Sequence, residues 1–195
     1  KILEAIAQIK GAYCLVVSTR DKLVGVRDPQ GFRPLCLGKL DEDWVIASES
    51  CALDTLGALF VRDIEPGEMV VIDKTGVTSR RFAPAATKAL CIFEYIYFAR
   101  PDSSIDGQSV YAARLAMGRE LARESRFQAD MVISVPDSGT TAALGFSCES
   151  GIPYGEGLMK NRYIGRTFIQ PEQKNRDMGV RIKLNAITSV VKDKS

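Results

Sequence analysis

The hydrophobic pattern of the chain changes once, and that change restricts the fold more than any other feature. Up to residue 82 the apolar runs are short and β-prone: Ala12–Val17, Leu23–Val26, Leu35–Gly38, Trp44–Ser48, Met69–Ile72 and Val77–Phe82. Tight turns divide them at Thr19–Lys22, Asp28-Pro29-Gln30-Gly31, Asp41-Glu42-Asp43 and Asp73-Lys74-Thr75-Gly76, each built from residues that favour turns. One short helix is expected over Ser50–Leu56. Strands in such close succession pair antiparallel.

Beyond residue 83 helices and strands alternate. Gln108–Glu124 reads as a helix, with Val110, Ala113, Met117 and Leu121 at helical spacing. A buried-type strand follows at Met131–Val135, then a helix within Thr140–Cys148 closed by Gly151, and a further strand within Ile152–Leu158. That alternation predicts βαβ units and a parallel sheet. Phe82–Thr87, bland and containing Pro84, is the expected domain junction. The fold class is therefore α/β, with an antiparallel α+β part at 1–83 and an α/β part at 84–195.

Composition narrows the chemistry. With 46% hydrophobic and 26% charged residues in 195, the chain is ordinary globular material. No apolar run is long enough to span a bilayer and no leader is visible at Lys1, so no membrane partner is expected and the localisation expected is cytoplasmic. The five cysteines are odd in number and scattered, without a Cys-x-x-Cys pair, which argues against a disulfide framework or an internal zinc site. There is no histidine, so a His-based triad cannot be built from these residues. Residues 160–195 carry nine Lys or Arg against three Asp or Glu, a net of +6, while the rest carry 17 against 21, a net of −4. The basic end should attract an anion.

Two segments could receive one. Val135-Pro136-Asp137-Ser138-Gly139-Thr140 lies where a strand gives way to a helix, the position at which α/β sheets bind ligands and helix N–H groups receive phosphate. The plainer reading is that Asp137 or Ser138 is simply the helix N-cap. Lys160-Asn161-Arg162-Tyr163-Ile164-Gly165-Arg166 places three cations around a glycine that lets the segment fold over a ligand. A solvated loop, or a basic tail for nucleic acid, fits the same residues. With only Tyr163 and Phe168 nearby, base stacking would be thin.

Longer strings carry more. Arg27-Asp28-Pro29-Gln30-Gly31-Phe32-Arg33-Pro34-Leu35, Ala47-Ser48-Glu49-Ser50-Cys51-Ala52-Leu53-Asp54, Pro66-Gly67-Glu68 and Cys91–Ser103, followed by the two segments above, resemble the glutamine phosphoribosyl-diphosphate amidotransferases over nearly the whole chain. The resemblance implies that residues 1–83 are the back half of an Ntn-hydrolase glutaminase domain, an αββα sandwich. Residues 84–195 would be the front half of a type I phosphoribosyltransferase domain. It implies an enzyme that moves ammonia from glutamine to C1 of 5-phosphoribosyl 1-diphosphate, the first step of de novo purine synthesis, with purine nucleotides as feedback inhibitors and a homo-oligomeric state. No nucleic-acid partner is implied.

By position, Ser138 matches a magnesium and diphosphate contact. Lys160 and Tyr163 match the loop that closes over the sugar phosphate, with Arg162 and Arg166 assisting in it. Cys91 matches the first of four iron–sulfur ligands in one branch of the family. The other three would lie beyond Ser195, and relatives without a cluster keep a cysteine here, so a structural role is the preferred reading. The family's nucleophile, an N-terminal cysteine, would precede Lys1, and its acidic phosphoribosyl-diphosphate loop would follow Ser195. An internal fragment, inactive alone and holding no catalytic residue of its own, is therefore expected. The competing expectations are a truncated, non-catalytic module that binds a sugar phosphate or nucleotide and, ranked last, a nucleic-acid binder.

Overall fold

The structure is a computed structural model, and it describes residues 1–195 except Ala85, Arg126, Arg166 and Phe168. It divides into two compact units, Lys1–Val110 and Tyr111–Ser195.

The first unit is built on two antiparallel sheets. After a short helix α1 (Ile2–Ile6), strands β1 (Cys14–Ser18) and β2 (Leu23–Arg27) form a hairpin. Strands β3 (Cys36–Leu40) and β4 (Asp43–Ala47) form a second. Helix α2 (Ser50–Leu56) ends at Gly57, whose φ of 72° provides the left-handed cap. Strands β5 (Leu59–Asp63), β6 (Glu68–Asp73) and β7 (Gly76–Arg81) complete the set. The strand orders are β1-β2-β6-β7 and β4-β3-β5.

Period-two alternation sends each strand's side chains to different layers. Val24, Val26 and Met69 pack with Ile6 and Tyr13 beneath α1. Leu35, Leu37, Ile64 and Val70 meet Trp44, Ile46 and Ile72 between the sheets. Cys36, Leu53 and Ala58 close the far side under α2. The order of layers is helix, sheet, sheet, helix. Two glycines set the spacing. A methyl on Gly25 would come within 2.9 Å of Ile46 Cδ1 in the facing sheet, and one on Gly38 within 2.6 Å of Leu53 Cδ2 in α2.

Strand β5 was not expected from the sequence. Leu59, Phe60 and Val61 are an unbroken apolar run with no alternation, and all three are exposed on an edge strand. Its pairing to β3 slips at Leu37/Gly38, a bulge of the kind that blunts an edge.

Residues 86–110 stay with this unit. The β-prone Glu94–Phe98 forms a π-helical turn, not a strand. Side chains override propensity here: Glu94 is paired with Arg33 at 2.6 Å, and the Tyr95 hydroxyl donates to the Ile105 carbonyl at 3.0 Å. Strands β8 (Ser104–Ile105) and β9 (Gln108–Ser109) close a two-residue turn in which Asp106 and Gly107 both have positive φ. The junction expected near residue 83 thus falls within the first unit.

The second unit contains most of α3 (Val110–Glu124), then β10 (Val132–Ile133), α4 (Thr140–Ser150) and β11 (Tyr154–Gly155), with β10 and β11 parallel. This is the expected strand–helix–strand unit, with strands shorter than the apolar runs suggested. Strand β12 (Leu158–Lys160) pairs antiparallel with β13 (Leu184–Ala186) across helix α5 (Gln173–Lys183), and α6 (Thr188–Val191) follows. Helices α3 and α4 cross with their backbones nearly touching. A methyl on Gly118 would lie 1.9 Å from the Ala142 oxygen, and one on Gly145 would lie 2.1 Å from the Leu115 oxygen. No helix among the described residues is long and apolar enough to cross a membrane.

Candidate functional site

In the second unit, the loop from β10 to α4 and strand β12 bring the two anion-binding candidates together. The Val135–Gly139 turn is closed by the Gly139 N–H donating to the Val135 carbonyl at 3.2 Å, with a cis peptide between Pro136 and Asp137. A methyl on Gly139 would meet the Val135 oxygen at 2.8 Å, so the tight turn needs glycine there. Gly139 is also the N-cap residue, and no side chain makes a capping bond. The capping role considered for Asp137 or Ser138 is thus not what the fold uses. The half-buried Ser138 sits immediately before the helix start, where the N–H groups of the first turn lack intrahelical partners and the dipole favours an anion.

Behind this loop lies a hydroxyl relay that the sequence did not reveal. Ser134, buried at the end of β10, lies 3.2 Å from the Thr140 hydroxyl and 3.0 Å from the Tyr154 hydroxyl. Three residues on β10, α4 and β11 are thereby tied at the strand ends. A serine or threonine in a strand–helix connection is too common for its partner to be read from sequence.

Lys160 ends β12, where it pairs with Leu184, and the next residue's N–H donates to the Lys183 carbonyl at 2.8 Å. Its ammonium is bound to the Asp137 carboxylate. Asn161 then starts a side-chain turn, its Oδ1 accepting from the Tyr163 N–H at 3.0 Å. Arg162 and Tyr163 stand in solvent, Tyr163 with 98% of its surface exposed. The structure therefore joins the Ser138 loop to Lys160 but places Arg162 and Tyr163 on the outside of the turn. Arg166 lies outside the described residues.

The other family strings form a polar clasp within the first unit. Arg27, fully buried, donates to both Asp106 carboxylate oxygens at 2.8 and 3.0 Å, and to the carbonyls of Ile64 (2.8 Å), Arg33 (2.9 Å) and Gly31 (3.3 Å). Burial works against the Asp106 carboxylate, but the Arg27 hydrogen bonds and charge hold its pKa below the ordinary value. Burial, reinforced by the Asp106 charge, pushes Asp63 the other way. Asp28 accepts from the Gln30 and Phe32 N–H groups at 2.9 and 3.0 Å. Glu49 accepts from the Arg100 N–H and the Ser103 hydroxyl, both at 2.8 Å. Arg33 stacks on Phe98, 4.8 Å from the ring centre. These strings carry the family resemblance in a linear reading, and in the fold they hold residues 86–110 to the sheets.

Cys91 is half-buried, with its backbone N–H donating to the Phe32 carbonyl at 3.0 Å. Among the described residues no three His, Cys, Asp or Glu side chains converge as a metal site would require. The described residues therefore do not by themselves furnish an iron–sulfur centre.

No family model matches the chain. Individual relatives do. The amidophosphoribosyltransferase of Mycobacterium tuberculosis is 56% identical over 192 residues, which is 98% of this chain and 36% of that protein. The amidophosphoribosyltransferases of Archaeoglobus fulgidus and Bacillus subtilis are 53% and 47% identical, over 93% and 100% of this chain and 40% and 41% of theirs. The solved glutamine phosphoribosylpyrophosphate amidotransferase of Bacillus subtilis, complexed with ADP and GMP, superposes with a TM-score of 0.90 at 48% identity, covering 99% of this chain and 42% of that one. The chain thus spans 36% to 41% of the length of these curated relatives. By sequence and by fold, over nearly all of its residues, it belongs to the amidophosphoribosyltransferases.

Proposed function

We propose that the protein carrying this chain transfers ammonia from glutamine to C1 of 5-phosphoribosyl 1-diphosphate, giving 5-phosphoribosylamine and diphosphate, and that the Ser138 loop with Lys160 forms part of its diphosphate site. The observation that carries the reading is the meeting of these two segments at the start of α4, where the Lys160 ammonium is bound to Asp137, the residue before Ser138, in the turn that leads into the helix N-terminus. In family terms, residues 1–83 are the back half of the Ntn-hydrolase glutaminase sandwich, a reading supported by the helix–sheet–sheet–helix layers. Residues 84–195 are the front half of the type I phosphoribosyltransferase domain, supported by the parallel β10–β11 pair around α4. Residues 84–110 then belong by ancestry to the second domain while packing against the first.

Magnesium fits the residues present if the substrate brings most of its ligands. Mg2+ keeps several waters and is commonly held by one or two protein groups plus phosphate oxygens. The Ser138 hydroxyl, free of any capping duty, would be such a group, and the ion would neutralise charge on the leaving diphosphate. Lys160 adds a point charge to the same oxygens. Tyr163 and Arg162, which the Asn161 turn holds in solvent, would fold over the sugar phosphate and exclude water once substrate is present. Feedback by purine nucleotides and a homo-oligomeric state belong to the same reading.

The test is steady-state kinetics on the full-length product of the encoding gene. Glutamine-dependent phosphoribosylamine formation should require Mg2+. Lys160→Ala should raise the KM for phosphoribosyl diphosphate about tenfold or more, as expected for loss of a charged hydrogen bond, while glutamine hydrolysis measured without that substrate persists. Tight binding of phosphoribosyl diphosphate without turnover would replace this reading with that of a binding module. Equal loss of glutaminase activity in Lys160→Ala would remove Lys160 from the role.

A further inference from the structure

The contact between Asp137 and Lys160 has no part in the reaction as described above, yet among the described residues it is the ion pair that joins the two halves of the candidate site. No Asp or Glu occurs between Gly157 and Pro171, although three cations do. Lys160 finds its acid on another element: the Asp137 carboxylate, at the turn before α4. Both residues are anchored through their backbones. Lys160 is held in the β12–β13 ladder, and the Asp137 carbonyl accepts from the Thr140 N–H at 3.2 Å. Their side chains are not equally buried. Lys160 retains 25% of its exposure, whereas the Asp137 carboxylate keeps 73%. The anion of the pair is thus the readily displaced member, and the cation is the fixed one.

A carboxylate at this position resembles one oxygen pair of a diphosphate in charge and in acceptor geometry. We infer that Asp137 is a placeholder for the substrate: in the free protein it occupies the Lys160 ammonium, and it must yield that ammonium to a diphosphate oxygen when substrate binds. The inference rests on the phosphoribosyl-diphosphate reading given above. Asp137 is on this account a positioning residue. It keeps the Lys160 side chain aimed into the site rather than extended into solvent, and it sets a threshold that weakly binding anions such as inorganic phosphate do not cross. The cost appears in apparent affinity, because the substrate competes with a group tethered beside its own binding site.

The pair is partly exposed, so the exchange is worth little energy. Exposed ion pairs of this kind correspond to about a two- to fivefold change in an equilibrium constant. Asp137→Asn, in the full-length enzyme, should therefore lower the KM for magnesium phosphoribosyl diphosphate about two- to fivefold, with a smaller change in kcat. It should also make inorganic phosphate a more effective competitive inhibitor. Asp137→Glu, which keeps the charge, should stay near the wild-type KM.

The decisive arm repeats Asp137→Asn in a Lys160→Ala background, where no placeholder effect can exist and the KM should not fall. A fall of the same size in both backgrounds would mean simple charge repulsion and would overturn the inference. A rise in KM would mean that Asp137 touches the metal or substrate directly, with the same consequence. If the wild-type enzyme does not use phosphoribosyl diphosphate at all, the functional reading itself fails, an outcome distinct from either of these.

Discussion

The α3–α4 crossing offers the sharpest test of how packing positions the site. Gly145 sits in mid-helix, where alanine is intrinsically favoured by about 1 kcal/mol. Propensity alone therefore predicts that Gly145→Ala stabilises the protein. The structure predicts the opposite. The new Cβ would lie 2.1 Å from the Leu115 oxygen, 3.0 Å from its carbonyl carbon and 3.2 Å from the Arg119 nitrogen, and ordinary contact begins near 3.4 Å. The obstacles are backbone atoms of α3, which cannot rotate aside, so the helices must part by more than 1 Å at that point. Overpacking of this kind costs about 1–3 kcal/mol, and rigid backbone on both sides places it at the upper end. Net of propensity, a loss of about 2 kcal/mol is expected. Urea denaturation followed by circular dichroism would register it as a midpoint lowered by about 1 M. Gly151→Ala provides the comparator. It has open space around its Cβ and only the strain of a φ of 75°, which costs about 1 kcal/mol. A Gly145→Ala variant as stable as the parent, or less affected than Gly151→Ala, would refute the packing argument. Because α4 begins directly after Ser138, the same variant should also raise the KM for phosphoribosyl diphosphate.

Other consequences follow from the clasp and the thiols. Asp106→Asn leaves the fully buried Arg27 without its counter-charge, and a broken buried pair costs about 3–5 kcal/mol. Asn keeps one acceptor, so the lower figure is expected in thermal or urea unfolding at neutral pH. The folded pKa of Asp106 is depressed, so its contribution is present above the ordinary carboxylate value of about 4 and is lost as pH falls below it toward the folded value. The gap between parent and variant should close across that range, and a gap constant down to pH 2 would contradict the ion-pair account. Burial raises Cys14 to about 11 and Cys36 to about 12, so neither thiol is ionised at neutral pH. Iodoacetamide on the native protein, read by peptide mass spectrometry, should label the exposed Cys148 first and reach Cys14 and Cys36 only after unfolding.

Much of the fold was legible in linear order. The runs expected as strands at 12–17, 23–26, 35–38, 44–48, 69–72 and 77–82 each overlap one, because short apolar, β-prone runs cut by turn residues are the linear mark of such strands. The helices at Ser50–Leu56 and Thr140–Ser150 were likewise readable, the second closed by Gly151 as its left-handed cap. Other elements were not, and three of them show why. Strand β5 shows no alternation, since its apolar side chains face solvent. Glu94–Phe98 has strand composition but is wound into a π-turn by Glu94–Arg33 and Tyr95–Ile105 contacts that reach across the chain. Helix α5 buries no residue, and its few apolar side chains, Met178, Val180 and Ile182, stay exposed among polar neighbours.

The candidate site divides in the same way. Residue identity alone placed a serine and a lysine in segments suited to an anion, because helix starts and clustered cations have local signatures. It could not show that Asp137 holds Lys160, or that Ser134 links Thr140 to Tyr154, since those pairings span 23 and 20 residues and depend on which strand ends the sheet brings side by side. The two segments that opened the question as separate weak signals meet because parallel β10 and β11 set α4 and β12 at one end of the sheet. The sequence determined which chemistry is available. The tertiary structure decided which of those groups meet, because contact depends on the path of the backbone, and local sequence specifies that path only within a turn or two.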